Sequence, residues 1–164
     1  MRSEQEVNRA IERYSDTVQR LCVVYLKNHA DAEDVFQNVF FKYYLSSRIF
    51  ESDEHEKAWI IRVTINACKD HLKSFFRSRT VPLDEIAEIA NWESEPAPEY
   101  SDVLEAVLSL PEKYRDVVYL HYYEDYTAPQ ISRILHKNVN TIYTLLTRSK
   151  ELLREKLGGE GYER

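Results

Sequence analysis

The segment 110–157 constrains the fold most, because residues that cap or begin helices divide its apolar positions into three helical stretches. Pro111 suits a first helical turn, where the missing N–H costs nothing, and Thr127 suits an N-cap. A polar run separates the second stretch from the third, which we expect Asn140 or Thr141 to cap. Two short helices, a tight turn and a longer helix form a helix-turn-helix pattern.

The third of these helices has two chemically different faces. At about 100° per residue, one stripe predicts packing against the other helices. This apolar stripe contains Ile142, Leu146, Ser149 and Leu153. The opposite face carries Tyr143, Thr144, Thr147, Arg148 and Glu151. Hydroxyl and guanidinium groups on such a face meet base edges and phosphates in DNA, although a merely solvated face has the same composition.

Composition favours an all-α protein. Three Gly and five Pro in 164 residues leave few turns, and alternating β-branched runs are almost absent. The length suits one ordinary domain or two small ones. No stretch reaches the roughly 18 apolar residues of a membrane span, and the N-terminus lacks an apolar signal core, so we expect a cytoplasmic protein without direct membrane insertion. Cys22 and Cys68 are isolated, which predicts reduced, buried thiols.

Enzymatic function is not indicated. The sequence has neither a Gly-rich phosphate loop nor a nucleophile elbow. His29, Asp31, Glu33 and Asp34 could be mistaken for a metal or acid–base cluster, but helix capping explains two of the acids, and Asp31 is predicted to cap a helix running from Ala32 to about Ser47. We therefore expect no metal site, no cofactor and no small-molecule substrate.

Charge is segregated along the chain, although its formal net value is −6. Residues 57–79 carry six basic side chains and one acid, and residues 137–157 carry five basic and two acidic ones. Residues 80–110 hold eight carboxylates and no Lys or Arg. This pattern predicts two small helical domains at 1–79 and 101–158, a flexible acidic linker at 80–100 and a flexible tail at 159–164. The two cationic segments suit nucleic acid, which binds cations through its phosphates.

The N-terminal half reads as three further helices, at about 4–28, 32–47 and 55–77. The second is so aromatic that at least one ring should remain outside the core. The third carries polar and cationic side chains that we expect not to form one continuous stripe. They are Arg62, Asn66, Lys69, Lys73 and Arg77. Trp59 on the same helix suits either a helical core or stacking on unpaired bases.

Two blocks of the sequence resemble one family. Leu110-Pro111, Tyr114-Arg115, Ile131-Ser132 and Thr141-Ile142 through Leu153 are similar to region 4 of bacterial sigma factors of the extracytoplasmic-function type. In that family this helix reads the minus-thirty-five promoter element. The resemblance assigns that reading here to Tyr143, Thr144, Thr147 and Arg148.

Region 2 of the same family is resembled by Asp31-Ala-Glu-Asp34-Val-Phe-Gln37 and by Ala58-Trp-Ile-Ile-Arg62 through Asp70. The first motif implies docking on the clamp helices of the largest subunit of core RNA polymerase. By position, the docking residues are Asp34, Gln37, Asn38 and Phe40. The second motif implies binding of the minus-ten element, where a base is flipped into a pocket. The implied contacts are Arg62, Asn66, Lys69 and Lys73, with Asn66 at the base-reading position, although its amide also suits local backbone bonds.

The resemblance implies an alternative sigma factor that binds core RNA polymerase and promoter DNA, and it makes an anti-sigma factor an expected partner. The residues alone leave two other classes open. One is a stand-alone helix-turn-helix regulator that binds duplex DNA as a dimer. The other is a helical protein-interaction module, which suits the acidic total but leaves the charge segregation unexplained.

Overall fold

The computed structural model describes residues 1–78 and 102–158, without the side chains of 75–78 and 102. All regular structure in these ranges is helical, which confirms the predicted all-α class. The helices group into two compact units, residues 1–95 and 96–164. The predicted linker at 80–100 and tail at 159–164 lie outside the described residues.

The first unit contains helices α1 (Glu4–Leu26), α2 (His29–Leu45) and α3 (Asp53–Ser78), each packed against the other two. Its core is apolar and includes both cysteines as free thiols, as predicted. The most deeply buried side chains are Val18, Leu21, Cys22, Val39, Ile60, Ile61, Ile65 and Cys68. The burial of Thr64 is compatible with this core because its hydroxyl donates to the Ile60 carbonyl at 2.7 Å.

The junction between α1 and α2 differs from the prediction. α1 ends at Leu26, the following Lys27 adopts a left-handed conformation (φ 56°), and Asn28 then caps α2 by accepting the Asp31 N–H at 2.9 Å. The expected capping role of Asp31 is therefore wrong, since an amide three residues earlier already satisfies that donor. Asp31 instead lies in the first turn and pairs with His71 of α3 at 3.2 Å.

The second unit contains α4 (Asp102–Leu108), α5 (Glu112–Tyr122), α6 (Ala128–Leu135) and α7 (Val139–Lys156). Both α5 and α6 pack on α7. The core is built from Val107, Val117, Val118, Tyr119, Leu120, Ile131, Ile134 and Ile142. The seven-residue helix α4 was not predicted, because it is short and follows a segment that reads as acidic linker.

The helix-turn-helix itself is α6, a turn and α7. Thr127 caps α6 as predicted, and Gln130 completes a reciprocal capping box. α6 ends at Leu135, the following His136 lies in the left-handed region (φ 55°), and Asn138 caps α7 by accepting the Asn140 N–H at 2.8 Å. The prediction of Asn140 or Thr141 as the cap is wrong, because helical geometry begins two residues earlier than the polar run suggests.

Two further observations concern the described ranges alone. Neither range contains a helix that combines the length and apolar character needed to cross a membrane. Nor do their His, Cys, Asp and Glu side chains converge anywhere in a group of three or more that could hold a metal ion.

Candidate nucleic-acid and protein interfaces

The outer face of α7 presents the four side chains assigned to promoter reading. Tyr143 is 54% exposed, and Thr144, Thr147 and Arg148 are also exposed. Behind them, Ile142, Leu146 and Ser149 of the predicted apolar stripe are buried and Leu153 is half-buried, so the division of this helix into two faces is confirmed. The arrangement displays one aromatic ring, two hydroxyls and one guanidinium within six residues of a single helix.

The two threonines on this face have defined orientations. The Thr144 hydroxyl donates to the Asn140 carbonyl at 3.0 Å, and the Thr147 hydroxyl donates to the Tyr143 carbonyl at 3.0 Å. Because each hydroxyl proton is committed to the helix backbone, the oxygen is left as an acceptor for a donor from outside. Acceptors of this kind suit the exocyclic amino groups of adenine and cytosine in the major groove.

The polar face of α3 is one continuous stripe. α3 is unbroken from Asp53 to Ser78, so steps of four, three and four residues place Arg62, Asn66, Lys69 and Lys73 within about 60° of arc. The expectation that these donors are not aligned is therefore wrong for these four; the side chain of Arg77 lies outside the described residues. Asn66 and Lys73 are exposed, whereas Arg62 and Lys69 are half-buried. The exposure of Asn66 leaves its amide accessible to a ligand.

An exposed stripe also runs along α2. Asp34, Asn38, Phe41 and Leu45 recur at steps of four, three and four residues, and all are exposed, with Phe41 at 57% and Leu45 at 49%. Gln37 is exposed beside them. Such spacing lets a second helix pack along the stripe. The stripe changes from an acid at its N-terminal end to apolar side chains at its C-terminal end.

Phe40, which the sequence assigned to this docking surface, lies elsewhere. Its side chain is only 5% exposed, and its ring packs on that of Phe36 at 4.9 Å between centroids. Burial makes the Phe40 side chain part of the bundle core rather than of the surface that a partner meets. The expectation that one aromatic of this helix stays outside is met by Phe41 instead.

A smaller cavity lies beside the α2 stripe. It has a volume of about 260 Å³ and opens between α1 and α2. Val23, Ala32 and Phe36 supply apolar walls, and Gln19 and Gln37 supply polar ones. A cavity of this size accommodates one side chain of a partner rather than a small ligand.

The sequence did not locate the larger cavity of the first unit, which has a volume of about 740 Å³. It is formed by the start of α1, the end of α2, the connecting residues 46–52 and the start of α3. Its charged lining residues are Arg2, Glu6, Arg9, Arg48, Glu51, Asp53 and Glu56, with Tyr43 and Phe50 as aromatic ones. Asn66 is not among the lining residues. Sequence periodicity misses such a site because its walls come from distant segments.

A half-buried carboxylate connects the helices at the cavity wall. Glu56 accepts hydrogen bonds from the hydroxyls of Tyr14 at 2.9 Å and Tyr43 at 2.8 Å, which ties α3 to α1 and α2. Burial, together with the neighbouring Glu56 carboxylate, raises the pKa of Tyr43 to about 12 and also raises that of Tyr14. Both phenols are therefore protonated donors under ordinary conditions.

Trp59 belongs to an aromatic cluster at the same place. Its ring lies 5.6 Å from that of Phe50 and 6.2 Å from that of Tyr43, and the side chain is half-buried. Phe50 also meets His55 edge-on at 5.4 Å. This packing favours the first of the two roles open from the sequence, an aromatic in the helical bundle.

Comparisons with known families identify two matching regions. The family described as Sigma-70 region 2 matches residues 10–79, and the family described as Sigma-70, region 4 matches residues 100–153. The region 2 match contains α2 and the α3 stripe, and the region 4 match contains the helix-turn-helix.

Similar proteins match most of the length of this chain. The chain is 30% identical over 141 residues to the RNA polymerase sigma factor SigV of Bacillus subtilis, covering 86% of this chain and 84% of that one. It is 27% identical over 167 residues to the extracytoplasmic-function sigma factor SigW of the same organism, covering 90% and 86%. The fold resembles the sigma factor RpoE from Bartonella quintana, solved with the anti-sigma factor NepR (TM-score 0.71, 17% identity, 95% and 99% covered).

Proposed function

The chain belongs to the sigma-70 family, in its extracytoplasmic-function branch, and on that premise we propose how its surfaces direct RNA polymerase to promoters. The protein is an alternative sigma factor. The observation that carries the assignment of surfaces is the presence of three separate accessible faces, on α2, α3 and α7, in the two regions that the family matches.

The α7 face is proposed to read the minus-thirty-five element in the major groove. Arg148 provides a planar pair of donors, which suits the O6 and N7 atoms of guanine. Thr144 and Thr147 provide hydroxyl acceptors, and Tyr143 provides an exposed ring for a thymine methyl group or a phosphate. The buried residues behind them hold the helix without taking part in contacts to DNA.

The α3 stripe is proposed to bind the melted minus-ten element. Lys69, Lys73 and Arg62 supply cations for the phosphates of a single strand, and Asn66 supplies an amide that both donates to and accepts from a base edge. The larger cavity, which is lined by Tyr43 and Phe50 and by charged side chains of both signs, is the proposed receptacle for a base flipped out of the duplex.

The α2 stripe is proposed to dock on the clamp helices of core polymerase. Asp34, Gln37 and Asn38 keep the roles that the sequence suggests, while Phe41 and Leu45 take the apolar contact first assigned to Phe40. Exposed apolar side chains in a helical stripe are an anchor for a partner helix. The cavity of about 260 Å³ beside Gln37 offers space for one inserted side chain.

We also propose that the protein acts in the cytoplasm, as a transcription factor that is not itself an enzyme. An anti-sigma factor is a proposed partner, because the fold resembles that of RpoE, which was solved in complex with the anti-sigma factor NepR. The exposed α2 stripe is a surface that such an inhibitor would compete for.

The decisive experiment combines capture and transcription. The full chain should retain bacterial core RNA polymerase in a pull-down, and the complex should give run-off transcripts from a subset of genomic promoter fragments. Phe41→Ala, with Lys42→Ala as an exposed control on the same helix, should weaken polymerase capture without loss of helicity. Tight binding of a palindrome by the free chain as a dimer, without polymerase capture, would instead support a stand-alone regulator.

The minus-ten assignment has its own test. Asn66→Ala should leave closed-complex formation intact but reduce permanganate reactivity of unpaired thymines in the promoter. A lowered melting temperature with unchanged strand opening would assign Asn66 a structural role instead.

A further inference from the structure

We propose that Arg2 is a positioning residue that fixes the α2–α3 loop, residues 46–52, and thereby maintains the larger cavity in the form that promoter opening requires. The inference rests on the proposed function, because it takes that cavity to be where the flipped base is held. Arg2 itself is not proposed to contact DNA.

The guanidinium of Arg2 is committed to protein partners. Its side chain is only 12% exposed. Its Nε donates to the Tyr43 carbonyl at 3.1 Å and a terminal nitrogen donates to the Arg48 carbonyl. The same group lies over the rings of Tyr43 and Phe50, at 4.4 and 5.2 Å from their centroids. One side chain therefore joins the last turn of α2 to two points of the loop.

The backbone at this end of the chain adds a further tie. The Arg2 N–H donates to the Tyr44 carbonyl at 2.9 Å, and Ser3 caps α1 directly afterwards. The last carbonyls of a helix carry partial negative charge and lack intrahelical donors, so a cation placed there is favourable. Arg2 thus satisfies the C-terminal end of α2 while its ring contacts orient Phe50.

The loop has few other tertiary anchors. Ser47, Arg48, Glu51 and Ser52 are exposed, and Ile49 is 88% exposed. The hydrogen bonds from the Arg48 N–H to Ser46 and from the Glu51 N–H to His55 are local to the loop and its flanks. Phe50 is the loop residue that packs on other rings, and the Arg2 guanidinium covers it. Loss of Arg2 should therefore release the loop while the three-helix core stays packed.

Lysine should not replace Arg2. A guanidinium donates in one plane to two carbonyls and stacks on rings at the same time, whereas an ammonium acts as a point charge on a flexible stem. The matched charge control is Lys42→Ala, which removes one positive charge from the same end of α2. Lys42 is exposed and takes no part in the loop contacts described above.

The first measurement is amide hydrogen exchange of the full chain. Arg2→Ala should accelerate exchange in residues 46–52 by about tenfold, the factor expected from loss of a charge-assisted hydrogen bond, without changing the cores of α1 and α3. Arg2→Lys should restore less than half of the protection, and Lys42→Ala should leave the loop unchanged. Uniform acceleration over the whole first unit, or none in the loop, would overturn the proposal.

The second measurement uses the complex with core polymerase on a promoter fragment that the wild type transcribes. Arg2→Ala should lower permanganate reactivity at the minus-ten element by about tenfold while polymerase capture and closed-complex formation persist. Equal opening by Arg2→Ala and wild type would refute the link to promoter opening. If the wild type itself fails to capture polymerase or to open any promoter, the proposed function fails, and the inference about opening fails with it.

Discussion

The α7 surface of the second unit and the larger cavity of the first unit are built in opposite ways. In the second unit, the side chains from Tyr143 to Arg148 lie on one helix, so helical periodicity alone sets their relative positions. In the first unit, the larger cavity is lined by residues from Arg2 to Glu56, contributed by three helices and a loop. The comparison teaches that a surface on one helix tolerates changes in packing elsewhere, whereas a composite cavity depends on every element that forms it.

One polar group from each unit shows the same difference. In the second unit, the buried Ser149 hydroxyl bonds to the Leu145 carbonyl of its own helix. In the first unit, the Glu56 carboxylate of α3 accepts hydrogen bonds from the hydroxyls of Tyr14 in α1 and Tyr43 in α2. Local bonds reinforce an element that already exists, whereas bonds between helices fix how elements meet.

The largest expected effect tests whether the two cores are independent. Ile61 in the first unit and Ile131 in the second are each 0% exposed. Replacing either with Ala should lower the free energy of unfolding of its own unit by about 2–5 kcal/mol, because a cavity is left in a packed core. Hydrogen exchange resolved by peptide measures each unit separately, and Glu12→Ala on the exposed side of α1 is the control. Equal loss of protection in both units after a single substitution would break the comparison.

The next effect concerns the single-helix surface. Arg148→Ala should cost about 1–3 kcal/mol in upstream-element binding and change base preference at one position, while the fold is unaffected. Fluorescence anisotropy on a set of single-base variants, with core polymerase present, measures this. The matched control is Lys156→Ala, an exposed cation in the last turn of α7, more than two turns beyond Arg148. A uniform loss over all variants would show that Arg148 contacts a phosphate.

A third prediction uses pH to test the hydrogen bonds from Tyr14 and Tyr43 to Glu56, which join the helices of the first unit. The pKa of Tyr43 is raised from 10.0 to about 12 by burial and by Glu56, so the folded state favours the protonated phenol. The contribution of this shift to the free energy of unfolding is fully present below the pKa of Tyr43 in the unfolded chain, and it is lost as pH rises from about 10 to about 12. Chemical denaturation across that range should show a steeper fall for the wild type than for a Tyr14→Phe, Tyr43→Phe double variant. If the free energy of unfolding fell equally with pH in both proteins, the raised pKa values of the two tyrosines would be contradicted.

The smallest expected effect concerns the residues that directly follow α1 and α6. Lys27 in the first unit and His136 in the second both adopt positive φ, at 56° and 55°. Glycine at either position should raise the free energy of unfolding by about 0.5–1 kcal/mol, because it removes the Cβ clash of the left-handed region at a smaller entropic cost. Thermal unfolding measures the gain, and Lys137→Gly next to the second turn serves as a control. A loss at His136 equal to that at Lys137 would argue against relief of backbone strain.

The sequence by itself determined the helical class, the helix-turn-helix and the outward face of α7. Apolar positions at helical spacing identify an amphipathic helix regardless of its neighbours, and Thr127 with Gln130 carries its capping signal within four residues. Asn28 and Asn138 were missed as caps because several polar residues adjoin each helix start, and only the backbone conformation selects one of them.

Only the tertiary structure decided which aromatic ring of α2 is buried and where the larger cavity forms. Phe40 and Phe41 are neighbours of the same type, so their different burial, 5% and 57%, follows from where α1 and α3 lie against α2. The contact of Arg2 with Arg48 joins positions 46 residues apart, and no local pattern encodes it. Periodicity records how a helix is divided between inside and outside, whereas contacts distant in sequence exist only once the helices have packed together.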